Sequence, residues 1–356
     1  MGSTMNITIS QRGKSFRLRI ETRDEANKRV FAYETFKTEK DAVERKEHIL
    51  SMARGDNRVR ITDDTVQEYI NHWIAKRQKF GMISETSAEN YTNTMKPFLA
   101  RFGGLKMVHL EDVHIERFYM QRLETVSSST VRMLHLRLKT IFANAVEAGD
   151  LMRNPMSKVV APRANKESRL ALTEQQMQAL LVHVADKPLV GFIVRLALGT
   201  GMRRGEIAAL RWSDVDLATK QIHIKRSRVR LSGFEIEQAP KSRAGVRTIS
   251  IPAGLHAELL ERVGEPHKRV VDNISLVYLT ELVNDALKAI GCGAGFSLHS
   301  LRHTHATHLL RLKMPVKAVS QRLGHADVNV TLSVYSHVMR GDDADLADAI
   351  DQLMAG

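Results

Sequence analysis

The spacing of apolar residues changes twice along this 356-residue chain, and this change limits the fold more than any single motif. In residues 6–37 apolar and polar side chains alternate, which is typical of short strands. In residues 62–158 apolar residues recur at helical spacing, and beyond residue 170 helical stretches flank a second alternating stretch. The pattern predicts a multidomain α+β protein with three differently built parts.

Each part has its own predicted architecture. Residues 1–58 are predicted to form a small three-stranded β-sheet plus one helix, which Thr38 caps. Residues 62–158 are predicted to form an all-α domain of four or five helices. Residues 159–170 lack periodicity and are rich in cations, so we expect an exposed basic linker; an ordinary surface loop is the alternative. Residues 171–356 are predicted to be mixed and mainly α, with a small antiparallel sheet.

The charge balance narrows the class of partner. The chain has 53 Lys and Arg against 40 Asp and Glu, a formal net charge of +13, which favours a polyanion such as nucleic acid or an anionic membrane surface. No apolar run is long enough to span a bilayer, and the first residues do not form a signal peptide. Cys292 is the only cysteine, which excludes a disulfide framework and fits a reducing compartment. We therefore expect nucleic acid as the partner, with no membrane association.

The stretch HSLRHTHATHLL contains four histidines and could be taken for a metal site. His299 and His303 share a helix face, and His305 and His308 lie three residues apart. A zinc site needs neutral imidazoles and usually a carboxylate or thiolate. Here Arg302 lies among the histidines and no acid is near in sequence, so we expect no metal. Core contacts are expected to satisfy some of these histidines, in particular His305 and His308.

An anion site accounts for the same stretch better. The planar guanidinium of Arg302 can hold two oxygens of a phosphate, and His299, three residues earlier, can face the same anion. The segment LGTGMRRGEIAAL supplies more cations. Its two glycines are predicted to bracket a helix start, with Arg203 and Arg204 in the first turn, and Glu206 is placed to orient an arginine or to cap that turn. The alternative is that these arginines are surface residues at a helix start and bind no anion.

A third segment, RLGHADVNVTLSVYSHV, could supply a nucleophile. Gly324 is predicted to end one helix, His325 follows at the turn, and a new helix begins near Asp327. Tyr335 lies ten residues after His325. A phenol with a pKa near 10 is a poor nucleophile at neutral pH unless cations surround it. Arginines and histidines of the other segments would provide that environment; a half-buried structural tyrosine is the alternative.

In chain order the three segments are LGTGMRRGEIAAL, HSLRHTHATHLL and RLGHADVNVTLSVYSHV. In this order and at these separations they resemble the motifs of the tyrosine recombinase family, the integrases of phages and other mobile elements. The resemblance covers roughly residues 171–340. It assigns Glu206 and His303 supporting roles and Tyr335 the role of nucleophile, and it places the family's β-hairpin lysine in the segment APKSRAGVRTISIP. The catalytic residues that the resemblance implies are Arg203, Lys241, His299, Arg302, His325 and Tyr335.

The resemblance also implies an activity and partners. The expected enzyme is a site-specific DNA recombinase that cleaves and rejoins DNA through a 3′-phosphotyrosyl intermediate, without metal, ATP or another cofactor. Residues 1–58 resemble an arm-type DNA-binding domain, although a small domain for protein contacts is the alternative, and residues 62–158 resemble a helical, SAM-like core-binding domain. The residues expected to contact DNA are Arg17, Arg19, Lys158, Arg163, Lys166, Arg169 and Arg204.

The expected assembly is a homotetramer on double-stranded core-type and arm-type attachment sites, with accessory DNA-bending and directionality proteins, in the cytoplasm of a bacterial host. The acidic tail, residues 340–356, is expected to form a helix that packs either on a neighbouring protomer or on its own domain. Two other functions remain open at this point. One is a type IB topoisomerase, which relaxes supercoils without exchanging partners, and the other is a DNA-binding regulator without catalysis.

Overall fold

The structure is a computed structural model. It describes residues 6–13, 15–23, 28–54, 62–163, 170–240, 242–293 and 295–335, together with residues 347, 350–352 and 354. The chain divides into two compact units, residues 1–166 and 167–356. Among the described residues, no helix is long and apolar enough to cross a membrane.

The first unit begins with a three-stranded antiparallel sheet and one helix. The elements are β1 (Asn6–Arg12), β2 (Ser15–Arg23), β3 (Arg29–Phe36) and α1 (Glu39–Arg54), and the sheet order is β1-β2-β3. Leu18 and Ile20 on one face of β2 are fully buried with Ile49 of α1. Since side chains alternate along a strand, Arg17 and Arg19 lie on the opposite face.

A helical bundle completes the first unit. Its helices are α2 (Val66–Lys79), α3 (Glu85–Phe102), α4 (Asp112–Leu123) and α5 (Ser128–Glu147). Thr65 caps α2 in a capping box with Glu68. The predicted exposed linker starts too early, because Val159 is only 7% exposed and packs in the core of this bundle. The Pro162 carbonyl also accepts a hydrogen bond from Arg132 Nη1 of α5, at 3.2 Å.

The second unit mixes helices with short strands. Its helices are α6 (Glu174–His183), α7 (Pro188–Thr200), α8 (Arg204–Ala209), α9 (Ala253–Glu261), α10 (Leu276–Ala289), α11 (Leu298–Arg311), α12 (Val316–Leu323) and α13 (Val328–Tyr335). Its strands are β4 (Val215–Asp216), β5 (Gln221–Ile224), β6 (Ser227–Leu231), β7 (Phe234–Gln238) and β8 (Arg247–Ser250). The apolar helix α7 lies in the core, with Ile193, Val194 and Leu196 fully buried.

The predicted single antiparallel sheet of this unit is two sheets in the described residues. Strands β4-β5-β8 form one sheet, and β6 and β7 form a separate hairpin. The hairpin reverses at Ser232 and Gly233, both of which have positive φ. The alternating sequence pattern is common to both sheets, so it does not indicate where one sheet ends and the other begins.

Two glycines set the helix ends around the motif segments. Gly201 ends α7 with φ of 66°, and Gly324 ends α12 with φ of 68°. The prediction that two glycines bracket a helix start is wrong for Gly199, because the apolar run continues α7 as far as Thr200. Arg203 is the N-cap residue of α8.

Candidate active site

The C-terminal end of α12 is the point on which three arginines converge. Its last carbonyls lack helical partners and carry the negative end of the helix dipole, so they attract cations. Three successive carbonyl oxygens, which we call the α12 carbonyl end, each accept a hydrogen bond from a different arginine. They belong to Arg322 (from Arg247 Nε, 2.7 Å), Leu323 (from Arg302 Nη2, 2.7 Å) and Gly324 (from Arg203 Nη2, 3.0 Å).

Glu206 fixes the first of the sequence-predicted arginines. Its carboxylate accepts the backbone N–H of Arg203 at 2.8 Å and the Arg203 Nη1 donor at 2.9 Å. Together with the bond to Gly324 this determines the direction of the guanidinium, yet the Arg203 side chain keeps 40% of its surface exposed. Since a guanidinium has five N–H donors, Arg203 retains donors for an incoming anion.

Glu206 also supplies the negative charge that partly balances the arginines of the site. It is 3% exposed and accepts two hydrogen bonds from Arg247, Nη1 at 3.0 Å and Nη2 at 2.9 Å. Burial by itself would raise the pKa of Glu206, but the hydrogen bonds and charges of Arg247 and Arg203 outweigh it and hold the pKa below its ordinary value. The carboxylate is therefore ionised, and it partly neutralises two adjacent cations.

Arg302, on α11, is buried and held by two backbone carbonyls. Its Nη1 donates to the Gly201 carbonyl at 2.8 Å and its Nη2 to the Leu323 carbonyl at 2.7 Å, and only 3% of the residue is exposed. Gly201 lies two residues before Arg203, in the same motif segment. The structure therefore brings the two arginines predicted from separate motifs to neighbouring carbonyls of one helix end.

His299 and His303 lie one turn apart on α11. Their rings meet edge to face with centroids 4.5 Å apart. His299 is exposed and His303 is 6% exposed, so the buried ring supports the exposed one. His299 thus lies on the same helix as Arg302, three residues away, with its ring accessible to a substrate.

His325 connects the α12 carbonyl end to the helix that ends at Tyr335. Its Nδ1 lies 2.8 Å from the Thr331 hydroxyl, and Thr331 is fully buried within α13. Tyr335 is the last residue of α13, four residues after Thr331, and nothing is described of its side chain. The His325–Thr331 hydrogen bond therefore holds the imidazole against α13.

His305 and His308 are bonded to the protein interior. His305 Nδ1 lies 2.6 Å from the Leu198 carbonyl, and its Nε2 accepts from Arg322 Nε at 3.1 Å. His308 Nε2 lies 3.0 Å from the Leu172 carbonyl. Burial, with the charges of Arg322 and Arg302, lowers the pKa of His305 to about 4, although the bond to Leu198 opposes this. His305 is therefore neutral near pH 7.

Five of the remaining predicted residues belong to the part of the chain that the structure describes, and three do not. Lys241, Lys166 and Arg169 lie outside the described residues. Lys158 and Arg163 are exposed, and exposed Arg204 donates from Nη1 to the Thr280 hydroxyl at 3.1 Å. The guanidinium groups of Arg17 and Arg19 lie over the rings of Tyr33 and Phe31, at 5.1 Å and 4.5 Å from the ring centroids.

Sequence reasoning missed three residues that shape this site, namely Arg247, Arg322 and Thr331. For Arg247 a signal was present: it shares a face of β8 with Ile249, which is buried, so alternation alone would have marked an inward-facing arginine. Thr331 has no such mark, since a threonine in a short helix carries no distinguishing pattern.

Comparison with known proteins adds relatives of similar length. Residues 171–341 match the phage integrase family. A XerC-like tyrosine recombinase from Caldanaerobacter subterraneus subsp. tengcongensis is 28% identical, over 93% of this chain and 94% of that protein. The ICEBs1 integrase of Bacillus subtilis is 26% identical, over 70% of this chain and 72% of its own length.

Two solved structures share the fold. The Tn1549 transposon integrase in complex with a circular intermediate DNA superposes with a TM-score of 0.68 at 18% identity, over 79% of this chain and 99% of that one. A lambda integrase dimer bound to a COC′ core site superposes with a TM-score of 0.60 at 16% identity, over 95% of this chain and 96% of that one. At these identities the likeness concerns the fold, a small N-terminal antiparallel sheet with a mainly helical body.

Proposed function

Because the chain is a tyrosine recombinase, and thus a site-specific recombinase enzyme, we propose that Arg203, Lys241, His299, Arg302, His325 and Tyr335 form its active site. One observation carries this proposal. Arg203 and Arg302 come from segments about a hundred residues apart, yet they donate to adjacent carbonyls of the α12 carbonyl end. Two guanidinium groups so close together repel each other, and an anion between them relieves that repulsion.

The chemistry starts at the scissile phosphate. Arg203 and Arg302 bind its non-bridging oxygens and neutralise the charge that builds up as the phosphorus becomes five-coordinate. The Tyr335 oxygen attacks phosphorus in line, and the bond to the 5′ oxygen breaks. His299 and His325 donate hydrogen bonds to the phosphate, and His299 takes part in removing the tyrosine proton. Supporting this, His325 is hydrogen-bonded to Thr331 of the helix that ends at Tyr335.

The products are a 3′-phosphotyrosyl enzyme and a free 5′-hydroxyl, to which Lys241 gives a proton as general acid. The reverse reaction with the 5′-hydroxyl of another strand rejoins the DNA in a new combination. The phosphotyrosyl bond conserves the energy of the broken phosphodiester, so the reaction requires no ATP. In this proposal Arg203 and Arg302 neutralise the phosphate charge, which is the role a metal ion would otherwise have.

DNA is the partner of both units in this proposal. The integrases of Tn1549 and phage lambda were solved in complex with DNA, and the exposed cations Lys158 and Arg163 fit a phosphate backbone. The sheet face of Arg17 and Arg19 is proposed to read arm-type sites, and the helical bundle is proposed to bind core-type sites. Accessory bending and directionality proteins then select integration or excision of a phage or other mobile element in the bacterial cytoplasm.

Recombination of two duplexes requires four protomers, so we propose a tetramer on DNA. The tail is the proposed link between protomers. Ile350 and Met354 are helical, four residues apart, and 56% and 71% exposed, which leaves an apolar pair for a neighbouring subunit. Removal of residues 340–356 should abolish assembly on DNA in a native gel while leaving binding by single protomers.

A covalent-trapping experiment tests the mechanism. The full chain is mixed, in EDTA, with a duplex of the element's own junction that carries a nick just beyond the cleavage point, so that the short 5′-hydroxyl fragment diffuses away. We expect a protein–DNA adduct on a denaturing gel with the wild type and none with Tyr335→Phe at equal DNA binding. Absence of an adduct with bound wild type would refute the mechanism. Strand exchange between two duplexes then separates a recombinase from a topoisomerase.

A further inference from the structure

We propose that Arg247 is a positioning residue of the active site, which sets the direction of the Arg203 guanidinium through Glu206 and the α12 carbonyl end. The inference rests on the proposed function, because it assigns Arg203 to the scissile phosphate. Arg247 lies outside the three motif segments and does not itself touch DNA in this proposal.

Arg247 binds three separate parts of the second unit. Its side chain is only 6% exposed and forms a two-pronged pair with Glu206 of α8. Its Nε donates to the Arg322 carbonyl of α12 at 2.7 Å, and its Nη1 also donates to the Gly245 carbonyl at 3.2 Å. One guanidinium therefore connects β8, α8 and α12.

The connection between β8 and α12 is reciprocal. The Arg247 side chain of β8 binds the Arg322 carbonyl of α12, and the Arg322 side chain donates back to the Ser250 carbonyl of β8 at 3.1 Å. The Arg322 Nη2 also donates to the Gly199 carbonyl of α7 at 2.9 Å. Two reciprocal side-chain hydrogen bonds therefore connect the end of α12 to β8, and they restrict sliding and rotation of the helix end.

Both anchors of the Arg203 guanidinium adjoin groups that Arg247 holds. One anchor is Glu206, which Arg247 grips directly, and the other is the Gly324 carbonyl, two residues after the Arg322 carbonyl. Loss of Arg247 releases both anchors together. Arg302 keeps its Gly201 carbonyl, so its own position depends less on Arg247.

Gly324 provides independent support for a constrained fit. A Cβ atom at this residue would lie 2.9 Å from Arg247 Nη1 and 3.0 Å from Arg247 Cδ, as well as 2.7 Å from the Ala244 carbonyl. The helix end and the arginine are therefore packed without room for a methyl group. A lysine cannot replace the guanidinium here, since one ammonium cannot bind both carboxylate oxygens and two carbonyls in this geometry.

The test compares rates on two substrates that differ in charge. Single-turnover adduct formation is measured at saturating full-length protein, with the nicked junction duplex carrying either the ordinary scissile phosphate or a methylphosphonate, in which a neutral methyl replaces one non-bridging oxygen. The variants are Arg247→Gln and Arg247→Lys, the latter keeping the charge and the stem. Arg195→Gln is the matched control, because Arg195 forms a two-pronged pair with Glu258 at 2.7 Å outside the site. Urea unfolding and DNA binding are measured for each.

On the phosphate we expect both Arg247 variants to slow adduct formation roughly 10- to 100-fold at unchanged DNA affinity, as for a small misplacement of a catalytic group. On the methylphosphonate, which needs less positive charge, their deficit relative to the wild type should shrink several-fold. Arg195→Gln should match the wild-type rate on both substrates. The inference would be overturned by an equal loss of rate on both substrates, or by a wild-type rate with Arg247→Lys. In either case an adduct formed by the wild type would leave the proposed function intact. A bound wild type that forms no adduct would instead overturn the proposed function and this inference with it.

Discussion

The buried histidine His305 should make the stability of the second unit depend on pH. Its Nδ1–H donates to the Leu198 carbonyl at 2.6 Å, so Nε2 must be unprotonated to accept from Arg322 at 3.1 Å. Protonation would place a second cation against Arg322 in a site that is 8% exposed. We therefore expect the folded protein to resist protonation of His305, whereas the unfolded chain does not.

The size of this effect follows from the two pKa values. The pKa of His305 falls from an ordinary 6.5 to about 4, so between these values the unfolded state binds a proton that the folded state does not. Stability then rises with pH across this window and is lost as pH falls from about 6.5 towards 4. At 1.36 kcal/mol for each tenfold change in acidity, His305 alone accounts for a loss of about 3 kcal/mol between neutral pH and about pH 4.

The comparison of wild type with His305→Gln isolates this contribution from other titrating groups. A glutamine amide can donate to one neighbour and accept from the other without titrating. Urea unfolding is measured at several pH values. As the pH is lowered through the window, the free energy of unfolding should fall by about 3 kcal/mol more for the wild type than for His305→Gln. His267→Gln, at a side chain that is 74% exposed, is the control substitution and should follow the wild type. Parallel curves for wild type and His305→Gln would refute the reasoning.

Three further results are expected. Gly324→Ala should slow adduct formation at least about tenfold and lower the urea midpoint, because φ is 68° and the new methyl would lie 2.7 Å from the Ala244 carbonyl; wild-type values for both would contradict this. Thr331→Val should slow adduct formation by about tenfold and cost about 1 kcal/mol of stability, since it removes the hydrogen bond between His325 and the Thr331 hydroxyl; an unchanged rate in the trapping gel would show that this hydrogen bond does not orient the imidazole. Arg19→Ala should reduce the slope of log affinity against log salt on arm-type DNA by about one, and an unchanged slope would remove Arg19 from the phosphate contacts.

The sequence was sufficient for the elements that depend on local pattern. The alternation of Leu18 and Ile20 predicted a strand with one buried face, and both side chains are fully buried. The same holds for Gly324, whose position after an amphipathic stretch predicted a helix end.

What the sequence could not provide are contacts between residues far apart in the chain. Glu206 was expected to orient an arginine. The second arginine that binds its carboxylate is Arg247 of β8, some forty residues further along the chain, and this contact depends on the packing of β8 beside α12. The misplaced start of the linker has a similar cause. Val159 looks like loop by composition, yet its side chain fills a space in the helical core that only the folded bundle defines.

The α12 carbonyl end restricts how this segment can vary in length. An added or deleted residue within α12 would turn its last carbonyls by about 100° and shift them by about 1.5 Å along the axis. Such a change would misdirect Arg203, Arg247 and Arg302 at once, although none of the three would be altered in sequence. Exposed side chains of α12 can be exchanged freely by comparison, so insertions and deletions should be selected against here more strongly than substitutions.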